Sequence, residues 1–271
     1  MEMNSKLLFI GGGNMAQAII AGLIKKNYPS QNIFVVDRNE NKCTFFENTY
    51  SIKTSLTIEP FLSVTHVIFL CVKPQGAQET CESIQSLIAK KNPLIISVMA
   101  GITIKKLNLW LGEHLSIIRT MPNTPSFVQK GATGLFALPS VSDTNKKMAE
   151  FLLQAIGITA WLNKESDLNI IVALSGSAPA YYFYFIELMR KISIEMGLSS
   201  EIADAFAIQT IYGVAELAHL HEKDVVELRQ QVTSKKGTTD AAIRSMESND
   251  MELILKKAMQ AAINRAEELS C

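Results

Sequence analysis

The chain has 271 residues, of which 48% are hydrophobic, and it carries 26 basic and 26 acidic residues. This length and composition allow a large core and favour two domains over one. A formal charge of zero without long basic blocks gives no reason to expect nucleic acid or an anionic membrane surface, so we expect a small-molecule partner.

No metal site is expected, because the four cysteines form no C-x-x-C pair and no neighbouring histidine completes a metal-ligand spacing. We interpret these cysteines as reduced thiols. The start of the chain, MEMNSKLLFIGGG, lacks the basic, apolar and cleavage segments of a signal peptide, which favours a cytoplasmic location.

Strand-like and helical patterns alternate through the first half of the chain. In order they are KLLFIG, 14–26, IFVVD, 39–48, VIFLCV, 75–90, LIISV, 103–112 and SIIRT, followed by TGLFAL, 143–156 and TAWLN. This alternation predicts an α/β domain with a doubly wound, mostly parallel sheet over residues 1–165. VIFLCV and LIISV lack polar alternation, which is typical of strands buried on both faces.

The second half, residues 166–271, is predicted to be an all-α domain. Its helical patterns cover 178–196, 199–220, 222–231, 238–248 and 251–269. The uncharged run from Leu168 to Ile186 is nominally long enough to cross a bilayer. However, its Asn, Ser, Gly and Pro residues would free backbone groups in lipid, so we expect no membrane span. We expect instead a turn at residues 175–177 and a buried helix that begins near Pro179.

A glycine motif follows the first predicted strand and opens the first helix. Gly11, Gly13 and Ala16 have the G-x-G-x-x-A spacing. In this motif the first glycine permits a tight turn, the second lets a pyrophosphate approach, and the small third residue allows close packing. We predict that a dinucleotide binds here, against the alternative of a purely structural turn. The predicted contacts are Ile10, Gly11, Gly12, Gly13, Asn14 and Met15.

The end of the second predicted strand bears on the choice of cofactor. Asp37 lies where an acidic side chain usually accepts from the ribose 2′-hydroxyl of NAD, whereas Arg38 can bind the 2′-phosphate of NADP. The alternatives are that Asp37 caps the next helix and that Arg38 is merely solvated. The choice between NADP (NADPH) and NAD therefore stays open.

Further predicted cofactor contacts follow later strands, where ligands bind in doubly wound sheets. They are Cys71, Val72, Lys73, Pro74, Val98, Met99 and Ala100, together with Asn123 from the stiff segment RTMPNTP. The alternatives are ordinary strand terminators, a surface lysine and a rigid turn that holds no ligand.

The segment VTSKKGTTDAAI, residues 232–243, places hydroxyl side chains, a glycine and two lysines just before a helical pattern. Exposed N–H groups at the start of a helix can bind a carboxylate. The alternative is that Thr238 or Thr239 only caps the helix.

Taken together, FIGGGNM, VKP, MPNTP, LSGSAPAY and VTSKKGTT resemble the pyrroline-5-carboxylate reductase family, in this order and along nearly the whole chain. The resemblance implies a Rossmann domain followed by an all-α dimerisation domain. It implies reduction of 1-pyrroline-5-carboxylate to L-proline with NADPH or NADH, the last step of proline biosynthesis. It also implies a homodimer, with the apolar helix after SGSAP buried at the dimer interface. In this family the dimer is often assembled into decamers.

The resemblance further implies roles for residues of the second half. Ser234 and the backbone around Gly237 would hold the substrate carboxylate. The hydroxyl of Thr239 and the acid Glu222 would lie at the ring nitrogen as the catalytic pair. The implied substrate-binding set is Ser234, Gly237, Thr238 and Ser177.

This sequence departs from the family pattern S-P-G-G-T-T, because Lys235 replaces the proline and Lys236 the first glycine. If that glycine position requires positive φ, a lysine there costs about 1 kcal/mol, and we expect the local backbone to differ. The added positive charge would strengthen carboxylate capture. Ala173 and Ala178, where many members have glycine, are milder changes.

Two other interpretations compete with a reductase of this family. A β-hydroxyacid dehydrogenase or imine reductase shares the layout, but such dehydrogenases carry a catalytic lysine within G-x-x-G-x-G-x-x-x-K, and here no lysine precedes Lys191 in the helix after SGSAPAY. A non-catalytic dinucleotide-binding protein would explain the glycine motif but not the carboxylate loop.

Overall fold

The computed structural model describes residues 4–89, 91–221 and 224–270. The chain divides into two compact units. Unit 1 comprises the chain up to Ser177 together with the stretch from Ala262 onward, and unit 2 comprises Ala178–Ala261. The domain boundary that the sequence predicts between residues 165 and 166 stays a prediction.

Within the described residues, unit 1 is built on one eight-stranded sheet with the order β3-β2-β1-β4-β5-β6-β7-β8. The strands are β1 Leu7–Ile10, β2 Ile33–Val36, β3 Lys53–Ser55, β4 Val67–Leu70, β5 Leu94–Ser97, β6 Ile117–Met121, β7 Gly131–Ala137 and β8 Gly157–Trp161. Neighbours are parallel except β6 and β7, which are antiparallel. The predicted mostly parallel sheet is confirmed. The sequence patterns did not indicate β3, because Lys-Thr-Ser forms no apolar run.

Helices cover both faces of this sheet. They are α1 Asn14–Lys25, α2 Glu40–Tyr50, α3 Glu59–Leu62, α4 Ala77–Ile88, α5 Ile104–Leu111, α6 Asp143–Leu153 and α7 Asp167–Ile171. Alternate strand residues point to opposite faces. Leu7 and Phe9 of β1 therefore join a core with α1 and α6, whereas Leu8 and Ile10 join a core with α4 and α5. Every residue of β4 and β5 is buried, which confirms the prediction for VIFL and LIIS. Cys71, Val72 and Val98 lie beyond the strand ends and are half-buried.

The segment after α7 is more helical than predicted. A π-helical turn, Val172–Gly176, follows α7 and is closed by the Ser177 N–H, which donates to the Val172 carbonyl at 2.7 Å. The sequence predicted only a turn at residues 175–177. Single π turns are rare and are frequent at functional sites.

Unit 2 is helical, as predicted for the second half. Its helices are α8 Ala178–Glu195, α9 Ser200–Leu220, α10 Val225–Gln231 and α11 Thr238–Ser248, with α12 Met251–Ser270 running on into unit 1. The predicted start of a helix at residue 222 lies outside the described residues. No helix in the described part of the chain combines the length and apolarity needed to cross a membrane.

Unit 2 buries little of its apolar surface within the single chain. Among its described residues the buried hydrophobic side chains are those of Ala178 and Ala203. Phe183 on α8 and Phe206 on α9 are 69% and 70% exposed. Burial of the apolar run at a dimer interface therefore stays a prediction.

Candidate functional site

The glycine turn between β1 and α1 contains one glycine that the fold requires and one that it does not. Gly11 has a φ of 98°, and a Cβ there would lie 2.8 Å from the backbone carbon of Cys71. Gly13 has a φ of −84°, and its Cβ would meet only the Cys71 carbonyl oxygen, at 3.8 Å. The space above Gly13 is thus open to a ligand, as a bound pyrophosphate requires.

The start of α1 offers free donors at the same place. Gly13 is the N-cap and has no side chain to cap the helix, and the first turn contains no acidic residue. The first N–H groups of the helix therefore remain available to an anion, and the helix dipole favours negative charge there. Asn14 is exposed at this end, and Met15 is half-buried against the core.

Asp37 ties the glycine turn to the end of β2. Its carboxylate accepts from the Gly12 N–H at 2.7 Å, from the Asn39 N–H at 2.9 Å and from the Lys42 ammonium at 2.9 Å. Burial raises the pKa of Asp37, but these bonds and the Lys42 charge outweigh it, so the pKa lies below the ordinary 3.8. The alternative that Asp37 caps α2 is wrong, because Asn39 is the cap and accepts from the Asn41 and Lys42 N–H groups.

Arg38 is exposed and pairs with Glu79 of α4, with 2.9 Å between Nη2 and Oε1. Both side chains line a cavity of about 590 Å³ at the carboxyl ends of β2 and β4. These ends flank β1, where the strand order reverses and doubly wound sheets bind ligands. The predicted contacts that line this cavity are Ile10, Gly11, Asp37, Arg38, Val72 and Lys73.

The turns after β4 and β5 place the other predicted contacts. Cys71 is half-buried, and burial raises the pKa of its thiol. Pro74 begins a 3₁₀ turn, Pro74–Gly76. Val98 and Ala100 are half-buried, whereas the side chain of Met99 lies in the core at 3% exposure. Met99 can therefore present only its backbone to a ligand.

The next residue, Gly101, closes this turn against the end of α12. Its φ is 76°, and a Cβ there would lie 2.9 Å from the Leu269 Cβ. The C-terminal end of α12 thus supports the loop that is predicted to contact the cofactor.

The side chain of Asn123 forms hydrogen bonds within unit 1. It is 8% exposed, its Nδ2 donates to the Ser175 carbonyl at 3.1 Å, and its Oδ1 accepts from the Ala132 N–H at 2.9 Å. A Cβ on Gly176 would lie 2.7 Å from Met121 Cε. Asn123 therefore fixes the π-helical turn over the end of β6, and its contact with a cofactor stays a prediction. Ser177, the next residue after that turn, is half-buried.

In unit 2, the segment from Ser234 to Thr239 ends at the start of α11. Gly237 is the N-cap, and no side chain caps the helix, so the alternative that Thr238 or Thr239 serves only as a cap is wrong. The Gly237 N–H donates to the Ser234 carbonyl at 2.9 Å, and a Cβ on Gly237 would clash with Ser234 Oγ. The first N–H groups of α11 are thus free for a carboxylate.

The lysines of this loop are exposed, and Lys236 has a φ of 62°. Lys236 therefore adopts the left-handed conformation that usually favours glycine. The Lys236 N–H donates to the carboxylate of Asp240 at 3.1 Å, and Arg244 pairs with the same carboxylate. Asp240 thus holds the turn in place from the first turn of α11.

Comparison with known proteins identifies the family. A family model described as pyrroline-5-carboxylate reductase dimerisation matches residues 165–269, and one described as NADP oxidoreductase, coenzyme F420-dependent, matches residues 6–101. A pyrroline-5-carboxylate reductase of Haemophilus influenzae is 39% identical over 269 residues, which cover 98% of each chain. The chain belongs to the pyrroline-5-carboxylate reductase family. The resemblance drawn from the motifs is therefore confirmed.

Solved structures of this family share the fold along the whole chain. A pyrroline-5-carboxylate reductase from Coxiella burnetii aligns with a TM-score of 0.93 and 40% identity, covering 98% of this chain and 99% of that one. A pyrroline carboxylate reductase from Plasmodium falciparum, solved with NADP bound, aligns with a TM-score of 0.87 and 27% identity over the full length of both.

The family motifs do not contain three residues that hold the site together. Lys42 neutralises Asp37, Glu79 pairs with Arg38, and Glu165 accepts from both Arg119 Nη1 and the Ile104 N–H at 2.7 Å. Arg119, 7% exposed inside a buried strand, signals that an acidic partner must exist. No sequence signal identifies the other two, since their positions depend on how α2 and α4 pack.

The acid that the resemblance places at the substrate nitrogen, Glu222, lies outside the described residues. Its role therefore stays a prediction.

Proposed function

We propose that this chain reduces 1-pyrroline-5-carboxylate to L-proline with NADPH, with NADH as the alternative cofactor, as the last step of proline biosynthesis. The observation that carries the proposal is similarity to the family's reductases over 98% of both chains, which includes both halves of the molecule. The open space above Gly13 and the uncapped start of α11 support it, because the reaction needs a dinucleotide site and a carboxylate site.

The cofactor site is formed by the carboxyl edge of the sheet in unit 1. The first N–H groups of α1 hold the pyrophosphate, while Asp37 keeps the glycine turn in position for it. The turns after β4 and β5 and the Asn123 segment complete the proposed contacts. When bound, NADPH supplies the hydride that reduces the C=N bond.

The substrate site is formed by the loop before α11. The free N–H groups of Thr238 and Thr239, the Ser234 hydroxyl and the charge of the adjacent lysines bind the carboxylate. The Thr239 hydroxyl forms a hydrogen bond with the ring nitrogen, and Glu222 is the proposed acid near that nitrogen. Ser177 is a further proposed substrate contact. A strong acid is not required, because the substrate nitrogen can arrive protonated, so orientation supplies most of the rate.

The active protein is proposed to be a homodimer that covers the exposed apolar side chains of α8 and α9. The family model that matches residues 165–269 is described as dimerisation, which supports this assignment. Residues 1–165 then form the cofactor domain and residues 166–271 the dimerisation and substrate domain, with decamers as a further assembly.

The cytoplasm is the proposed location. Cys43, Cys71 and Cys81 are free thiols. Reduced thiols are typical of compartments kept reducing by thiol systems, which supports this placement.

The test is to mix the purified protein with 1-pyrroline-5-carboxylate and to follow oxidation of NADPH and, separately, of NADH by absorbance. We expect turnover that depends on the pyrroline and yields proline, detected by chromatography. Cofactor binding without turnover would contradict the reductase proposal and favour a non-catalytic dinucleotide-binding protein.

A further inference from the structure

The cavity between β2 and α4 contains the charges that an adenosine ribose would meet. Its charged lining residues are Asp37, Arg38, Glu59, Lys73 and Glu79. In a doubly wound sheet the residues after β2 contact the ribose of a dinucleotide, so the phosphate that distinguishes NADPH from NADH would enter here.

Asp37 is poorly suited to discriminate between the two cofactors. Its carboxylate accepts from two backbone N–H groups and from Lys42, and its side chain is 11% exposed. Lys42 neutralises its charge, so its repulsion of a 2′-phosphate is weakened. Asp37 acts on the glycine turn, which both cofactors need equally.

Arg38 directly follows Asp37 at the end of β2, where a guanidinium can bind a 2′-phosphate, but Glu79 already pairs with it. The two side chains are 77% and 70% exposed and 2.9 Å apart, and they come from the turn after β2 and from α4. We propose that Glu79 lowers the preference for NADPH over NADH, because it occupies Arg38 and adds negative charge where the 2′-phosphate binds. This inference rests on the proposed cofactor site.

The expected effect follows from the strength of an exposed ion pair. Such a pair corresponds to a factor of up to about five in an equilibrium constant, so a phosphate wins Arg38 but loses part of its affinity to the competition. Removing the carboxylate of Glu79 should therefore tighten NADPH binding roughly two- to fivefold. NADH has no 2′-phosphate, so its affinity should not change.

The experiment measures dissociation constants of NADPH and NADH by calorimetry for the full-length protein and for Glu79→Gln. The matched control is Glu82→Gln, which makes the same charge change on α4 at an exposed residue that pairs with Gln78 outside the cavity lining. We expect a gain for NADPH alone in Glu79→Gln, which shrinks as salt screens the charges, and no change in Glu82→Gln.

Two further variants, Arg38→Gln and the double variant, test whether Glu79 acts on NADPH binding through Arg38. Arg38→Gln should weaken NADPH binding about tenfold or more, since it removes a charge-assisted contact, and should leave NADH binding unchanged. In the double variant the gain from Glu79→Gln should disappear, because the two residues act through one contact. An unchanged NADPH affinity in Glu79→Gln, an equal gain for NADH, or a gain that persists without Arg38 would each overturn the inference.

Failure of the proposed function gives a different pattern. Loss of turnover with intact cofactor binding contradicts the reductase activity, while the dissociation constants still decide the role of Glu79. Absence of binding for both cofactors overturns both proposals.

Discussion

Unit 1 and unit 2 differ in the burial of their aromatic side chains. In unit 1, Phe9 and Phe69 on neighbouring strands stack with 4.5 Å between ring centroids and are fully buried. In unit 2, Phe183, Phe206 and Tyr212 are each about 60% exposed or more. Large apolar side chains that are exposed together on a protein surface typically mark an interaction site. We infer that unit 1 contains its own core and that unit 2 completes its core with a second chain.

The strongest test of this comparison removes one apolar contact of unit 2. Phe206→Asp should raise the dimer dissociation constant by about a thousandfold, because a symmetric dimer loses two buried rings, each contributing roughly 2 kcal/mol. Sedimentation over a range of concentrations measures this. The control is Leu109→Asp on α5 of unit 1, 75% exposed, which should leave the dimer unchanged. A dimer that tolerates Phe206→Asp as well as Leu109→Asp would contradict the comparison.

A pair of glycine substitutions separates folding from binding in unit 1. Gly11→Ala should destabilise unit 1 by roughly 3 kcal/mol, because φ is positive and the new Cβ meets the Cys71 backbone. Gly13→Ala should change stability by less than about 0.5 kcal/mol but weaken NADPH binding tenfold or more.

Denaturation followed by tryptophan fluorescence, with cofactor calorimetry, measures both effects. The two tryptophans, Trp110 and Trp161, belong to unit 1, so they report on this unit. If Gly13→Ala bound NADPH normally, the pyrophosphate would not approach that residue.

These contrasts show how much of the molecule the sequence predicts. The long apolar strands and the helices of both halves follow from periodicity, whereas β3 was missed because Lys53, Thr54 and Ser55 form no apolar run. The glycine turn was predicted because its conformation is local. The sequence does not predict the ion pairs beside this turn, Lys42 with Asp37 and Glu79 with Arg38, because they depend on how the helices pack.

The π-helical turn shows the same limit. Its shape depends on contacts with Asn123 and Met121, which are about fifty residues away in the chain. Local sequence indicates a turn at residues 175–177, but only the packed unit shows that it is held from β6. The substrate-binding and catalytic roles of Ser234 and Thr239 rest on the family resemblance, so enzyme kinetics must test them.

The loop of unit 2 offers the next test. Thr239→Val should lower kcat/KM by the equivalent of roughly 1 to 3 kcal/mol, since it removes a hydrogen bond and keeps the shape. Ser234→Ala should mainly raise KM for the pyrroline. Neither variant should alter NADPH binding, because the proposed cofactor site lies in unit 1.

The control in steady-state kinetics is Lys191→Gln, which should have no effect in this family but a large effect in a dehydrogenase with a lysine catalyst. Unchanged kinetics in Thr239→Val would remove its assigned role. A Ser234→Ala variant that lowers only kcat would remove the carboxylate assignment.

The smallest expected effect is the pH dependence of Asp37 in unit 1. Its folded pKa lies below the ordinary 3.8, so its stabilising contribution is fully present above that value and is lost as the pH falls through the folded pKa. The free energy of unfolding of the cofactor-free protein should therefore exceed that of Asp37→Asn by at most about 1 kcal/mol above pH 5. The difference should shrink below pH 4, as reported by tryptophan fluorescence. A difference that grew on acidification would mean that burial, and not the bonds from Lys42, Asn39 and Gly12, controls this carboxylate.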